Sequence, residues 1–402
     1  MDPAAAVGRP FGRRLLSEWP LDPAVTYLNH GTVGVTPTRV LARQQALRAE
    51  IERQPARFML RDVGDFIAGR TGPTRLRLAA ADVAAFIGAQ ADDVVFVDNA
   101  TTGVNAVLRS MAPTLAPGDE LLLTDHGYGS IDRIAALVAR EHGAVVRTIA
   151  VPYPAFDAAE LVARLAAACT ARTRLMIVDH ITSESGLILP VRDIAAACRS
   201  RGVPVLVDGA HAPGVLHLDV PSIGADWYVG NLHKWAHAPR SAGLLWADPS
   251  RQEGLHPAVI SWGLDAGFLA EFDWLGTRDP TPWLAAPEGI AFLHDLGVDA
   301  VWRYNHELAW RAGSELAARW TTPLPGARED IGFMATVGLP GQLGATAADA
   351  ARVRNHLLFE DAIEVQIHAG HGRLWARVSA QVYTEWADIE RLADAIDRLA
   401  GA

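Results

Sequence analysis

Three observations predict an α/β protein with a mainly parallel seven-stranded sheet in a large domain and a smaller α+β domain. From about residue 90, short apolar runs alternate with longer amphipathic stretches. The runs end in polar or glycine-containing turns, and the stretches between several of them are long enough for helices of about ten residues. Strands separated in this way read as βα units, whose strands lie parallel and are covered on both faces.

The expected strands, in order, are 94–97, 120–124, 144–151, 174–181, 204–208, 227–230 and 242–246. Most of them are apolar runs of the kind a strand buried on both faces requires. Helix periodicity fills 102–111, 130–142, 157–169 and 191–201 between them. Residues 249–281, rich in Gly, Trp and Pro and weakly periodic, read as a long functional loop region. A helical stretch from 283 to about 320 follows, then short strands at 332–339, 363–368 and 374–379, and a closing amphipathic helix at 384–399. The large domain is expected over 54–284, and the smaller one over 285–402 completed by residues 1–53.

With 402 residues the chain can bury a large core without disulfides or metals. A formal net charge of −10 argues against a nucleic-acid partner, which would demand a basic face. No apolar run is long enough to span a membrane, and the first twenty residues lack the apolar stretch of a secretory signal. Cys169 and Cys198, the two cysteines, lie in Ala-rich helical patterns. They read as buried thiols in a reducing compartment, so a cytoplasmic location is expected.

Of the 36 basic residues a single one is lysine, Lys234. Arginine replaces lysine wherever any cation serves, but a guanidinium cannot attack a carbonyl as a neutral amine. Lys234 is therefore a candidate for covalent amine chemistry. Ligands of open parallel sheets bind beyond the carboxyl ends of the strands, and here those ends are polar. They carry Asp98-Asn99-Ala100-Thr101-Thr102-Gly103, Asp125-His126-Gly127-Tyr128, Asp179-His180 leading into Thr182-Ser183-Glu184-Ser185, Asp208-Gly209-Ala210-His211 and Asn231-Leu232-His233-Lys234. Two chemistries use such a rim. A metal-dependent hydrolase would ligate a cation through Asp125, His126, Asp179, His180, Asp208 and His211. Pyridoxal phosphate chemistry would use Lys234 for a Schiff base, the hydroxyl-rich helix start near Thr101 for a phosphate, and Asp208 opposite the pyridine nitrogen. Only the second reading employs the lone lysine. Dinucleotide, P-loop, zincin and serine-hydrolase signatures are absent. His368 and His371 flank a short Gly-containing loop and read as solvated or satisfied side chains.

The chain resembles the class V aminotransferase superfamily of pyridoxal phosphate enzymes, fold type I, and within it the isopenicillin N epimerase-like branch. The motifs are YLNHGTVGVTP at 27–37, NATTGVN at 99–105, VDGAHAPG at 207–214, YVGNLHKW at 228–235, GTRDPTPW at 276–283 and RVSAQVYTEWADIERL at 377–392. The resemblance implies that Lys234 carries the cofactor and shuttles the α-proton. Asp208 would pair with the pyridine nitrogen, and His211 and Ser183, or its neighbour Thr182, would lie near the phenolic oxygen. Ala100, Thr101, Thr102, Asn231 and His233 match the phosphate cradle. Tyr128, with His126 close by, matches the side chain stacked on the ring. Arg377 would grip the substrate α-carboxylate, and Asn29 and His30 would touch the substrate. Thr277 matches a phosphate contact from a neighbouring subunit, implying a homodimer with shared active sites. No metal is implied.

One departure matters. Cysteine desulfurases of this superfamily carry a catalytic cysteine ahead of the position of Arg377, and here that stretch reads IHAGHGRLWARVS. The expected activity is β-elimination (a C–S lyase) or epimerisation at the α-carbon of a bulky Cys-derived amino acid. Decarboxylation-coupled oxidative deamination and transamination are the alternatives, and a metal-dependent hydrolase is the alternative of another class.

Overall fold

The computed structural model describes residues 11–64 and 72–401. Seven strands form one sheet in the order Val94–Val97, Gly243–Ala247, Trp227–Asn231, Val205–Gly209, Thr173–Asp179, Glu120–Thr124, Val145–Ile149. From Trp227–Asn231 to Val145–Ile149 every neighbour is parallel. Gly243–Ala247 runs antiparallel to both of its neighbours. All seven expected strands are present within one or two residues at each end; 94–97 and 120–124 are unchanged, and 144–151 shortens to 145–149 and 174–181 to 173–179.

Crossover helices Ala100–Met111, Gly129–His142, Ala158–Ala168 and Val191–Arg199 occupy the expected intervals. Their starts are chemically set. Asn99 caps the first by accepting from the Thr102 amide at 3.0 Å, and Asp157 caps the third by accepting from Glu160 at 2.8 Å. Gly143, at φ 68, ends the second in the left-handed conformation that glycine adopts without strain.

The smaller sheet is antiparallel, ordered Gln366–Gly370, Arg373–Ser379, Met334–Gly338. It is covered by Val298–Trp320, Ala347–Phe359 and Trp386–Gly401. Two sequence expectations change here. The stretch from 283 divides at Gly297, whose φ of 84 breaks the helix between Ala286–Leu296 and Val298–Trp320. The strand expected at 363–368 divides too: Ile363–Glu364 pairs in parallel with Thr26–Tyr27, while Gln366–Gly370 turns into the antiparallel sheet. The loop region after 249 holds one short helix, Phe268–Asp273.

Apolar packing crosses the expected domain boundaries. Val40 and Leu47 of helix Thr38–Arg53 share a buried cluster with Trp283, Leu293 and Val301, against the large sheet. The small domain's own core gathers Leu28 with Leu316, Val337, Val365, Val378 and Ile396. Among the described residues no helix is long and apolar enough to cross a membrane.

Candidate active site

Three of the parallel strands end in the residues that sequence reasoning singled out. Asp179 and Asp208 are register partners on adjacent strands, so both carboxyls leave the sheet on one side. Asp208 is 2% exposed and accepts from the Ala210 amide at 2.9 Å. Burial raises the pKa of both acids, and for Asp179 the neighbouring Asp208 raises it further. Just beyond Trp227–Asn231, the chain turns back through Leu232 to Lys234, pinned by the Leu232 amide donating to the Ala242 carbonyl at 2.9 Å. Lys234 Nζ lies 3.0 Å from His211 Nε2. Burial, aided by the Arg377 cation, pushes the Lys234 ammonium down to about 7, against the pull of Asp208 and Asp179. At neutral pH a large fraction of this lysine is the free amine. His211 is held well below the ordinary imidazole range by burial and by Lys234, so it is neutral.

Glycine lets these segments approach. A Cβ on Gly103 would stand 2.6 Å from Val229 Cγ1, so the helix Ala100–Met111 sits directly on the Trp227–Asn231 strand. Its first turn therefore lies beside Asn231, whose Oδ1 accepts from the Ala100 amide at 2.9 Å. A Cβ on Gly34, at φ 66, would meet the His233 carbonyl at 1.9 Å, which is how the N-terminal segment comes to lie against Lys234.

That segment supplies the second wall. His30 is fully buried: Nε2 donates to the Lys234 carbonyl and Nδ1 accepts from the Tyr383 hydroxyl, both at 3.0 Å. Burial lowers its pKa to about 4. With both nitrogens engaged, His30 braces the lysine backbone. Arg377 is 2% exposed, donating to the Ser183 carbonyl, to Asn29 Oδ1 at 3.1 Å and to Thr32 Oγ1 at 2.7 Å. Its Nε has no partner, and burial lowers its pKa to about 10.

On the far side of Asp208, beyond the Glu120–Thr124 strand, His126 Nδ1 lies 2.8 Å from Ser185 Oγ, which in turn meets Thr182 Oγ1 at 2.6 Å. His126 Nε2 is buried without a partner. Tyr128, two residues on, is 47% exposed at the start of the next helix. Thr277 is exposed. His233 Nδ1 lies 3.3 Å from the Ala242 carbonyl, and burial lowers its pKa to about 4.

Residues 72–392 match the family described as aminotransferase class-V. The chain belongs to the class V aminotransferase family. It is 36% identical over 399 residues to an isopenicillin N epimerase of Streptomyces clavuligerus, covering 95% of this chain and 96% of that protein. It is 32% identical over 405 residues to a probable chloroplastic L-cysteine desulfhydrase of Arabidopsis thaliana, covering 94% and 83%. Among solved structures, the cystine C–S lyase C-DES in complex with cysteine persulfide superposes with a TM-score of 0.77, at 23% identity, over 94% of this chain and 97% of that one. A cysteine desulfurase from Thermococcus onnurineus gives 0.78, at 19% identity, over 98% and 99%.

Pyridoxal phosphate, the cofactor of this family, fits the residues on three counts. Asp208 is a buried carboxyl with no ion pair among the described residues, the environment in which a ring N–H cation relieves desolvation. His211 Nδ1 is buried and unpartnered beside the lysine. In the hydroxyl-rich first turn capped by Asn99, the amides of Ala100 and Thr102 are engaged by Asn231 and Asn99, and the Thr101 amide and hydroxyl would donate to a phosphate. The hydrolase alternative fails on geometry. Among the described residues no group of three or more His, Cys, Asp or Glu converges as a cation site. Its donors are separately engaged, His180 with the Tyr228 hydroxyl at 3.0 Å, His126 with Ser185 and His211 with Lys234.

Sequence reasoning passed over Ser185 and Tyr153. Ser185 sits in the hydroxyl-rich loop already in view, and its i+3 spacing from Thr182 was the available signal. Tyr153 follows an edge strand and meets His126 at a ring separation of 4.8 Å, a long-range contact with no local signature.

Proposed function

We propose that the chain is a pyridoxal-phosphate-dependent enzyme that removes the α-proton of an amino acid and eliminates a thiolate from the β-carbon of a Cys-derived substrate. The observation that carries this reading is the buried amine of Lys234, pushed down to about 7 and set between Asp208, His211 and Arg377. When bound, the cofactor conjugates with the substrate nitrogen and withdraws the electron pair released at the α-carbon.

The chain's own groups do the rest. As a free amine, Lys234 is the base that takes the α-proton. Asp208 holds a proton on the ring nitrogen as its ionised partner. Arg377 is fixed by its three acceptors and offers its remaining edge to the α-carboxylate. Those contacts with Asn29 make Asn29 a support for Arg377, and His30 does the same for Lys234. His126, held by Ser185 and half-buried, is better supported than the exposed Tyr128 as the side chain stacked on the ring. The exposed Thr277 supports a phosphate contact made across a homodimer with shared sites; a monomer mass by sedimentation of the holoenzyme would exclude it.

Epimerisation is the second reading, favoured by His126 Nε2, which among the described residues is buried without a partner. An epimerase must return a proton to the face opposite its base. Burial lowers the His126 pKa, leaving a neutral imidazole that is a poor donor, whereas elimination needs only the one base. Incubation of holoenzyme with an S-alkyl-L-cysteine in deuterated water separates the two. Pyruvate with free thiol supports elimination, and α-deuterated D-isomer supports epimerisation. Absence of both, with no α-deuteration of any amino acid, contradicts the proposal. Lys234→Ala is expected to abolish either outcome.

A further inference from the structure

The hairpin that replaces a cysteine-bearing loop places a second cationic and donor-rich cluster beside Arg377. Strands Gln366–Gly370 and Arg373–Ser379 are joined by a two-residue turn, His371 at φ 50 and Gly372 at φ 74. Arg373, Trp375 and Arg377 alternate onto one face of their strand, and His368, paired with Trp375, shares it. The two arginines are four positions apart, about 13 Å along the strand. Across from this face stands Tyr153, its ring 4.8 Å from His371, 4.8 Å from His126 and 5.0 Å from Trp375.

The cluster is unsatisfied. Among the described residues, the Tyr153 hydroxyl, His126 Nε2, His368 Nδ1 and Arg377 Nε are all buried without a hydrogen-bond partner. Unpaired buried donors are costly, and their gathering in one place marks a ligand's polar atoms as their missing partners. Among the described residues Arg373 has no carboxylate partner, its guanidinium lying over Trp375 at 5.8 Å. Tyr153 keeps a proton to donate, because burial and Glu184 hold its hydroxyl protonated. Two acids face the cluster: Glu184, raised by burial and pulled down by Arg377, and Asp125, which acts on His126.

Building on the function proposed above, we propose that Arg373, Tyr153 and His371 form a second anion subsite, and that the enzyme's substrates are amino acids carrying an acidic group at the far end of the side chain. Arg377 takes the α-carboxylate and the hairpin takes the distal one, so the span between the arginines sets the length accepted. A purely alkyl side chain would leave the donors unpaired.

The test compares L-2-aminosuberate with L-2-aminooctanoate, which differ by a terminal carboxylate in place of a methyl. Calorimetric titration of the holoenzyme reads binding, and the thioether counterparts S-(3-carboxypropyl)-L-cysteine and S-butyl-L-cysteine read turnover. The diacid is expected to bind tenfold to a hundredfold tighter, with the same preference in kcat/KM carried by KM. Arg373→Gln and Tyr153→Phe are expected to bring the preference towards one. Glu184→Gln, by removing the opposing charge, is expected to tighten the diacid, a gain that a merely structural role cannot give. Equal binding of the pair by the wild type, or a preference that survives Arg373→Gln, overturns the subsite. If the enzyme exchanges α-protons yet shows no preference, the subsite alone falls. If no amino acid binds or exchanges, the underlying function falls with it.

Discussion

Lys234 is the only lysine of the chain, and its proton is set by neighbours acting in opposite directions. Burial and the Arg377 cation disfavour the ammonium; Asp208 and Asp179 favour it. The sign of each substitution follows. Reductive trapping of the cofactor-free chain with added pyridoxal phosphate is expected to rise with pH through an inflection near 7, as the amine loses its proton. Arg377→Gln removes a like charge and moves the inflection up, whereas Asp208→Asn removes an opposite charge and moves it down. An inflection near 10.5, the ordinary lysine value, contradicts the account. The same linkage makes stability rise with pH between about 7 and 10.5, where the unfolded chain holds a proton the folded chain has lost. Lys234 and Asp208 were legible in the sequence because each is a chemical type that the reaction cannot replace. His30 was not. That both of its nitrogens are engaged depends on Tyr383, which lies 353 residues away in the sequence.

At the scale of elements, the site is set by how closely the helix Ala100–Met111 lies on the Trp227–Asn231 strand. Gly103 is the spacer. Two effects of Gly103→Ala compete: helix propensity gains about 1 kcal/mol, while a Cβ at 2.6 Å from Val229 forces overpacking of about 1–3 kcal/mol. The clash is expected to win, because the strand is buried on both faces and Val229 is 0% exposed. A lowered denaturant midpoint together with weaker pyridoxal phosphate binding is the predicted outcome; a raised midpoint contradicts it. Periodicity found the strands and crossover helices because strand and helix residues here follow their burial. It ran long at 363–368, where apolar character continues across a change of partner: Ile363 pairs with Thr26 and Ile367 with Ala376, in different sheets. Periodicity also missed the break at Gly297, since a single left-handed residue leaves the apolar spacing on either side intact.

Across the whole molecule, the large sheet carries Asp208, His126 and Lys234 at or beyond the carboxyl ends of its strands, the smaller sheet carries Arg377, and the N-terminal segment packs against both Lys234 and Arg377. This explains why motifs spread from residue 27 to residue 392 belong to one site. The architecture was legible because βα alternation restricts topology so strongly. The pairing of helix Thr38–Arg53 with the large sheet's core was not, since apolar pattern says that Val40 and Leu47 are buried but not against what. The central claim is that the lone lysine carries the cofactor. Borohydride reduction of the yellow holoenzyme followed by peptide mapping tests it directly. The predicted result is one reduced adduct, on Lys234, with loss of the visible absorption band; a colourless protein that takes up no added pyridoxal phosphate, or an adduct at the N-terminal amine alone, would contradict it.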